Sequence, residues 1–164
     1  MHRLAEWGFG PDWWRNQRGE YWVIGQAVVS VGFLLLPVGR IEPFPQPLRW
    51  GGAAVLGSIA AVLGSAGIWQ LGENLTPLPQ PKEGGQLVTT GVYRWVRHPI
   101  YSSVIFLALA YAVWRASWTH LLGTGVLFLF FDRKAAQEEA WLTAKFPEYE
   151  TCRQQVKKLI PGLY

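Results

Sequence analysis

The sequence has few of the residues on which disulfides and metal sites depend. It contains one cysteine, Cys152, and one methionine, Met1. A single cysteine excludes an internal disulfide and a thiolate metal cluster, and a single methionine excludes a methionine-lined binding surface. Of the three histidines, only His98 is expected near carboxylates, which is a weak basis for zinc. We therefore predict no metal site.

The sequence also lacks the motifs of nucleotide-binding and hydrolase sites. Gly84 and Gly85 are without the flanking glycine spacing of either nucleotide fingerprint. Ser102 and Ser103 lie in an apolar segment with no second histidine expected on their side, so a serine hydrolase is unsupported. The net charge of +4 comes from basic residues scattered beside apolar segments. This pattern indicates contact with anionic lipid headgroups and no binding of nucleic acid.

What the sequence does contain is largely apolar and aromatic. Half of its 164 residues are hydrophobic, ten are tryptophan and 16% are charged. The chain is too apolar for an ordinary soluble domain and too short for two of them. We predict a single membrane-embedded domain over residues 21–164. Before it, residues 1–20 mix Trp7, Trp13 and Trp14 with arginines, which is typical of an interfacial segment.

Four apolar segments predict an all-α integral membrane protein with about four transmembrane helices. The spans are predicted at about 21–39, 50–72, 100–114 and 116–131. The first would form about 28 Å of helix, close to the thickness of one hydrocarbon core. The second is rich in glycine, alanine and serine, which allow close helix contacts, so we expect it at the centre of the bundle. Self-association through these small residues is the alternative.

The connections between these spans are short. Arg40–Arg49 contains three prolines and is predicted to be an extended loop. The last two spans are separated by Arg115, which predicts a tight helical hairpin, because a single buried helix would place this charge inside the bilayer. Arg115 and His120 would then mark the far membrane surface.

The chain after the fourth span becomes polar without a helix breaker. It predicts that the same helix continues into water over about 132–146, as far as Pro147. A short amphipathic helix is predicted over about 148–158. We expect the tail, Leu159–Tyr164, to lie on the bilayer surface.

Lysine and arginine are distributed unevenly between the two sides of a four-span protein. Twelve of the fifteen fall on the side of both termini, and Arg40, Arg49 and Arg115 fall on the other. The positive-inside rule therefore predicts a multi-pass protein with both termini in the cytoplasm. The segment before the third span lies on this side as well.

That segment, Gln86–Tyr101, reads QLVTTGVYRWVRHPIY and concentrates polar side chains between two apolar runs. Proline suits the first turn of a helix, so Pro99 predicts a helix start near His98, with unpaired amide groups beside Arg97 and His98. Because the third and fourth spans form a hairpin, His98 should lie near Lys134–Glu139. We interpret the segment as the wall of a pocket; a basic juxtamembrane loop that contacts lipid headgroups is the alternative.

The helix after the fourth span carries a pair of adjacent glutamates. Glu138 and Glu139 are about 100° apart around the helix, so one can face the pocket while the other points elsewhere. Lys134 and Glu138 share a helix face. They either face the pocket or merely pair with each other at a solvated surface, and their spacing does not decide between these alternatives.

Two stretches of the sequence resemble a known family. LVTTGVYRWVRHPIY and EEAWLTAKFPEYETCRQQVKKLIP are similar to the isoprenylcysteine carboxyl methyltransferase family, which is related to the phospholipid N-methyltransferases. The resemblance covers roughly Asn74–Pro161, and the length of the chain is closer to that of prokaryotic members. Membrane sterol reductases carry a phrase similar to RHPIY, so an NAD(P)H-dependent membrane reductase is one alternative. A catalytically silent membrane scaffold is the other.

The resemblance implies a methyltransferase that binds S-adenosylmethionine in a cytoplasmic pocket and acts on a lipophilic or lipid acceptor entering from the bilayer. The loop before the third span and the C-terminal helical extension would form this pocket. The residues implied to bind the cofactor are Gln86, Leu87, Val88, Tyr93, His98, Pro99, Ile100, Tyr101 and Glu138.

The same resemblance suggests residues for catalysis and for acceptor binding. We take His98, Arg97 and Glu139 as candidate catalytic residues, because an amine acceptor must lose a proton. Lys134 and Arg133 are the candidate substrate-binding residues. Eukaryotic members have an arginine at the position of Lys134, and lysine cannot make the same bidentate contact with a carboxylate. The acceptor group is therefore a carboxylate or an amine.

Overall fold

A computed structural model describes residues 12–164; the part of the predicted interfacial segment that contains Trp7 lies outside these residues. The α-helices of the described part are α1 (Glu20–Leu34), α2 (Gln46–Leu71), α3 (Pro99–Arg115), α4 (Trp118–Lys145) and α5 (Tyr149–Gln155). Single 3-10 turns lie at Trp13–Arg15, Gly72–Asn74 and Gly91–Arg94. Residues 12–164 contain no β-strand, so the all-α class is confirmed for this part of the chain.

The end of α1 and the start of α2 lie at residues that differ from the predicted ones. α1 ends at Leu34 instead of residue 39, because Pro37 disfavours a helical conformation at the residue before it. α2 begins at Gln46, with Pro47 in its first turn. The predicted loop over Arg40–Arg49 is therefore too long at its C-terminal end, since its last proline begins a helix instead of interrupting one.

The predicted hairpin and helical extension are both present. α3 begins at Pro99 with His98 as its N-cap residue, and α4 runs unbroken from Trp118 to Lys145. His120 does not mark a surface as expected: it is 1% exposed. Its Nδ1 lies 2.8 Å from Ser117 Oγ, and its ring packs edge-on against Phe33. A local hydroxyl satisfies one ring nitrogen of this buried imidazole, whereas its Nε2 has no hydrogen-bond partner among the described residues.

α2 lies at the edge of the bundle, which contradicts its expected central position. One face of α2, including Gly64 and Gly67, is buried against α3. The opposite face leaves Val55 and Val62 more than half exposed and Trp69 86% exposed. α3 occupies the centre, between α2 and α4, and α1 packs on α4. The small residues of α2 are concentrated on one face, so the helix has only one close neighbour.

The described residues contain one helix that is long and apolar enough to cross a membrane. It is α2 together with its continuation to Asn74, 29 residues in all. Only 17% of its most apolar stretch is buried within the molecule, whereas the core helix of a soluble protein would be mostly buried. α1 and α3 are apolar but shorter. The four spans therefore stay a prediction, and α2 is the one that satisfies the length and composition of a span.

The C-terminal segment packs against the start of α3. α5 ends at Gln155, earlier than the predicted 158, and the chain then becomes extended. The backbone N–H groups of Arg97 and His98 donate to the carbonyl oxygens of Lys157 and Lys158 at 2.8 and 3.2 Å. Leu159 is fully buried, in the same cluster as Phe33, Ile105 and Phe131. The expectation that this tail lies on the bilayer surface is therefore wrong at Leu159, whose side chain completes the core.

Candidate functional site

A cavity of about 400 Å³ lies at the end of the bundle where α3 begins. Its volume is within the usual range for small-molecule sites, about 300 to 1,000 Å³. The cavity is lined by the loop before α3, by the first turn of α3, and by α4 and the segment that follows it. All residues predicted to bind the cofactor line this cavity: Gln86, Leu87, Val88, Tyr93, His98, Pro99, Ile100, Tyr101 and Glu138.

The turn before α3 fixes Tyr93 in the cavity wall. Gly91 has φ +60°, and a Cβ at this position would overlap the side chain of Gln70. Gln70 Oε1 in turn accepts a hydrogen bond from the backbone N–H of Val92 at 2.9 Å. The Tyr93 hydroxyl donates to the carbonyl oxygen of Gly67 at 3.2 Å. Burial, helped by the nearby Glu138 carboxylate, raises the pKa of Tyr93, so its hydroxyl stays protonated.

Glu139 is the centre of a buried cluster of charged groups. Its Oε1 accepts from Arg97 Nε at 2.7 Å, from His98 Nε2 at 3.0 Å and from the Tyr149 hydroxyl at 3.3 Å. Arg153 Nε lies 3.8 Å from its Oε2. Burial alone would raise the pKa of Glu139, but the hydrogen bonds from His98 and Arg97, together with the positive charge of Arg97, lower it to about 2.

This environment does not favour the predicted catalytic role of Glu139, which stays a prediction. Its side chain is 8% exposed and does not line the cavity. A carboxylate with such a low pKa is a poor general base at neutral pH. Glu139 instead positions His98 and Arg97, which do line the cavity.

Arg97 connects the cavity to the C-terminal segment. In addition to its bond with Glu139, its Nη1 donates to the carbonyl oxygen of Arg153 at 3.1 Å and to that of Val156. Its guanidinium therefore has three protein partners and is 10% exposed. We interpret Arg97 as a positioning residue for the cavity wall and no longer as a catalytic one.

Glu138 is the member of the glutamate pair that faces the cavity. Its Oε2 accepts from the Tyr101 hydroxyl at 2.7 Å and lies 3.8 Å from His98 Nδ1. The rings of His98 and Tyr101 stack, with centroids 5.4 Å apart and planes within 5°. The two adjacent glutamates therefore point in different directions, as their positions on the helix predicted. Glu138 is the one carboxylate among the described residues that line the cavity.

Lys134 is buried in the cavity wall instead of pairing at a solvated surface. Its Nζ donates to Gln26 Oε1 at 2.6 Å and to the carbonyl oxygen of Pro77 at 3.3 Å, and it lies 5.0 Å from the centre of the Tyr101 ring. Burial lowers the pKa of Lys134 to about 8, although the charge of Glu138 opposes this shift. The ammonium group is thus held close to the cavity by three elements of the chain.

Arg133 does not line the cavity, and its predicted substrate-binding role stays a prediction. Its side chain is exposed and is not among the groups that line the cavity. Adjacent residues on a helix point about 100° apart, so the burial of Lys134 turns Arg133 outward.

Sequence reasoning missed the proline-rich loop and α1 as parts of the site. Residues 74–79 and Pro81 line the cavity, and Gln26 reaches it from α1. Asn74 Oδ1 accepts from the backbone N–H of Gln86 at 3.0 Å, which closes the loop on itself. The three prolines between Thr76 and Lys82 predicted a non-helical loop, but no local signal indicates where such a loop folds.

The arrangement suits a ligand that has a cationic group near Glu138, an anionic group near Lys134 and a large apolar or aromatic part. Glu138 supplies a partly exposed carboxylate, and Tyr93 and Tyr101 supply aromatic faces. Leu87, Val88 and Ile100 add an apolar wall. A carboxylate in a partly desolvated site interacts strongly with a nearby cation.

Comparisons with known proteins identify relatives of the chain. Residues 48–149 match the family model described as phospholipid methyltransferase. The protein-S-isoprenylcysteine O-methyltransferase of Schizosaccharomyces pombe is 33% identical over 103 residues, which cover 60% of this chain and 44% of that protein.

A solved structure has a similar fold. It is that of the eukaryotic intramembrane Ras methyltransferase, an isoprenylcysteine carboxyl methyltransferase, without a monobody. It aligns with a TM-score of 0.66 and 25% identity over 90% of this chain and 54% of the other. The chain therefore spans about half the length of the relatives that it matches.

Proposed function

Because the chain belongs to the phospholipid methyltransferase family, we propose that it is a membrane methyltransferase that uses S-adenosylmethionine to methylate a lipophilic acceptor. The observation that carries this proposal is Glu138, the carboxylate that faces an otherwise largely apolar and aromatic cavity. The relatives act on lipidated protein substrates according to their names, and this class of acceptor is part of the proposal. We also propose that the cavity opens on the cytoplasmic side, as the distribution of lysine and arginine predicts.

The residues present fit S-adenosylmethionine. This cofactor has an ammonium group and a positively charged sulfur, both of which a carboxylate at Glu138 would stabilise. Leu87 and Val88 would pack against its nucleoside part, and the backbone groups of Gln86 would bind its polar edge. Tyr93, held by Gly67, would close the same side. When bound, the cofactor supplies a methyl group activated by the positive sulfur.

The protein's own contribution to methyl transfer is mainly alignment and exclusion of water. His98 is suited to a further role. Glu139 Oε1 can only accept a hydrogen bond, so His98 Nε2 carries the proton of that bond. In a neutral imidazole this leaves Nδ1 as the free acceptor, on the side of Glu138. His98 Nδ1 would therefore take the proton that an amine acceptor must lose.

A carboxylate acceptor would need no base, and Lys134 supports this class. Its ammonium lies beside the Tyr101 ring at the cavity wall, where it would attract an anionic group. Its hydrogen bonds to Gln26 and Pro77 hold it in place and leave one of its three donors for an acceptor. We propose a lipophilic carboxylate as the preferred acceptor.

The function is tested by two measurements on the detergent-purified protein. In the first, S-adenosylmethionine and the reduced nicotinamide dinucleotide are titrated side by side by calorimetry. We expect saturable binding of S-adenosylmethionine alone. Binding of the dinucleotide alone would support the reductase alternative, and binding of neither would support a silent scaffold; both results contradict the proposal.

The second measurement distinguishes the acceptor classes. The protein is given methyl-labelled S-adenosylmethionine with a prenylated cysteine derivative, either with its free carboxylate or as the matched amide. A third sample receives a phospholipid with a primary amine headgroup. We expect label only in the free carboxylate. Labelling of the amine lipid alone would instead require a general base, for which His98 is the candidate, and would reject the carboxylate preference.

A further inference from the structure

A second cavity, of about 810 Å³, lies at the opposite end of the bundle from the candidate active site. The two cavities share no lining residue. α3 connects them: Pro99 lines the first, and Trp114 and Arg115 line the second. A 17-residue helix is about 25 Å long, so the second cavity is a separate feature of the molecule.

Positive charge dominates the second cavity. Among residues 12–164, its lining contains Arg40, Arg49 and Arg115 but a single carboxylate, Glu42. Arg40 Nη1 lies 3.9 Å from Glu42 Oε1, and both side chains are about three-quarters exposed, so this pair neutralises little of the charge. The lining therefore has a net formal charge of +2.

Two of the three guanidinium groups are held in place by their neighbours. Arg49 donates from Nε and Nη2 to the carbonyl oxygen of Trp114, at 3.0 and 2.7 Å. The Arg115 guanidinium lies 5.8 Å from the centre of the Tyr111 ring and 5.7 Å from that of Trp114. Two of the five N–H donors of Arg49 are used in its contact with Trp114. Within the described part of the chain, the Arg115 guanidinium makes cation–π contacts and no hydrogen bond, so its donors are available to a ligand.

The loop between α1 and α2 lines this cavity and is hydrogen-bonded to the connection between α3 and α4. Ile41 N donates to the Ala116 carbonyl oxygen at 2.7 Å, and Trp118 N donates to the Gly39 carbonyl oxygen at 2.9 Å. Gly39 N donates to Thr119 Oγ1 at 3.2 Å. The cavity is therefore formed before any ligand binds, which lowers the cost of ordering it.

Aromatic side chains complete the cavity beside the start of α2. Trp50 and Trp114 pack edge to face, with ring centroids 6.1 Å apart, and Phe44 lies on the same lining. Trp50 is at the start of α2, the helix that satisfies the criteria of a membrane span. Tryptophan and arginine at the end of a span are typical of the headgroup layer.

We propose that this cavity binds the headgroup of an anionic phospholipid from the leaflet opposite to the active site. Arginine forms bidentate hydrogen bonds with phosphate oxygens, and two fixed guanidinium groups can bind one phosphate together. The net charge of +2 favours a headgroup without a compensating ammonium. The indole rings would contact the glycerol backbone and the first methylene groups of the acyl chains.

The test is competition between two lipids for the purified protein, measured by native mass spectrometry. The protein in micelles receives equal amounts of phosphatidylglycerol and phosphatidylcholine with identical acyl chains. We expect the wild type to retain phosphatidylglycerol. The double variant Arg40→Gln/Arg115→Gln should lose this retention by about tenfold or more, because each arginine near the headgroup layer contributes to anionic lipid binding.

The matched control removes two charges at the other end of the molecule. Arg15 and Arg94 are exposed, so Arg15→Gln/Arg94→Gln should change the retention by less than about twofold. Equal effects of the two double variants would overturn the proposal, as would equal retention of the two lipids by the wild type. Arg115→Gln alone, which removes one of the two fixed guanidinium groups, tests the same point if the double variant does not fold.

Two further arms identify the source of the phosphate. Inorganic phosphate is added at the same concentration as the lipid; displacement of the lipid at this concentration would show a site for free phosphate and overturn the lipid proposal. A phosphatidylglycerol with a photoreactive headgroup should crosslink to peptides that contain Trp50 or Trp114. Crosslinking confined to peptides of the active-site end would also overturn it.

Discussion

Glu138 and Glu139 are adjacent and chemically identical, yet their environments give them different roles. Glu138 is partly exposed to the cavity and has one hydroxyl partner, Tyr101. Glu139 is buried and accepts from Arg97, His98 and Tyr149 on one oxygen. Glu138 can therefore bind a cationic ligand, whereas Glu139 is already paired with a cationic side chain of the protein, Arg97.

Replacement of Glu138 by glutamine tests its proposed contact with the cofactor. Glu138→Gln removes the negative charge but keeps the shape of the side chain, so we expect the affinity for S-adenosylmethionine to fall by about tenfold or more, since hydrogen bonds to charged groups contribute about 1.5 to 3 kcal/mol. Calorimetry on the purified protein measures this change. Glu148→Gln, at an exposed position on the same side of the protein, is the control. An unchanged affinity in Glu138→Gln would remove this residue from the site.

The low pKa of Glu139 predicts how the stability of the protein depends on pH. A carboxyl whose pKa is lower in the folded than in the unfolded state stabilises the fold above its unfolded value, and this stabilisation is lost as the pH falls through its folded value. For Glu139 the window runs from about pH 4.5 to about pH 2. A difference of this size corresponds to about 3 kcal/mol of unfolding free energy. Glu139→Gln should therefore be less stable than the wild type at pH 7 and approach it near pH 2.

Thermal unfolding in micelles at several pH values measures this difference. Asp132 also has a lowered pKa, because hydrogen bonds from Lys158 and Tyr164 outweigh the effect of burial. Its variant Asp132→Asn is therefore the control. Asp132→Asn should retain the part of the pH dependence that Glu139→Gln removes. A Glu139→Gln variant as stable as the wild type at pH 7 would show that the buried cluster contributes nothing to stability.

Prolines and other residues that start or break helices predicted the ends of some helices well and those of others poorly. The start of α3 and the continuity of α4 follow from a proline and from the absence of breakers, which act within a few residues. The end of α1 was predicted too late, although Pro37 carries the same kind of signal. The position of α2 depends on which face finds a partner, and this is decided by the whole bundle. Small residues indicated the contact face of α2 but not its place at the edge.

The contact between α2 and α3 also positions the site, and glycine makes this contact possible. A Cβ at Gly67 would lie 3.1 Å from Pro99 Cγ and 3.2 Å from Ile100 Cγ1, whereas Gly57, on the same helix, has no neighbour within 4 Å. Gly67→Leu should push α3 away from α2. Because Pro99 and Ile100 line the cavity, we expect lower affinity for S-adenosylmethionine together with a loss of about 1 to 3 kcal/mol of stability, as is usual for overpacking.

Gly57→Leu is the matched control for this prediction. It adds the same side chain to the same helix, at a position where no described residue lies within 4 Å of the added Cβ. Thermal unfolding and calorimetry should show both effects for Gly67→Leu and neither for Gly57→Leu. Equal behaviour of the two variants would mean that the close approach of α2 and α3 does not position the cavity.

At the scale of the whole molecule, the residues predicted to bind the cofactor were easier to identify from the sequence than the segments that enclose the cavity. The cofactor residues were carried over from a family resemblance, and they line one cavity because they lie on a single segment and on the helix facing it. The proline-rich loop and Gln26 close this cavity from distant parts of the chain. Such tertiary contacts cannot be predicted from the sequence, because they produce no periodicity or motif in it.

The arrangement of the chain across the membrane gives a further prediction at this scale. α2 satisfies the criteria of a span, so the loops at its two ends should lie on opposite sides of the bilayer. If α3 and α4 cross as a hairpin, the chain after α4 returns to the side from which α3 started. The positive-inside rule then places Glu83 and Glu148 in the cytoplasm and Glu42 outside it.

Cysteine labelling in intact cells tests this arrangement. In a Cys152→Ser background, which leaves no cysteine in the sequence, single substitutions Glu42→Cys, Glu83→Cys and Glu148→Cys are treated with a membrane-impermeant maleimide. All three positions are exposed, so the bilayer alone should decide their reactivity. We expect labelling of position 42 in intact cells and of positions 83 and 148 only after permeabilisation. Labelling of 42 and 83 from the same side would mean that α2 does not cross the membrane, and opposite labelling of 83 and 148 would exclude the hairpin.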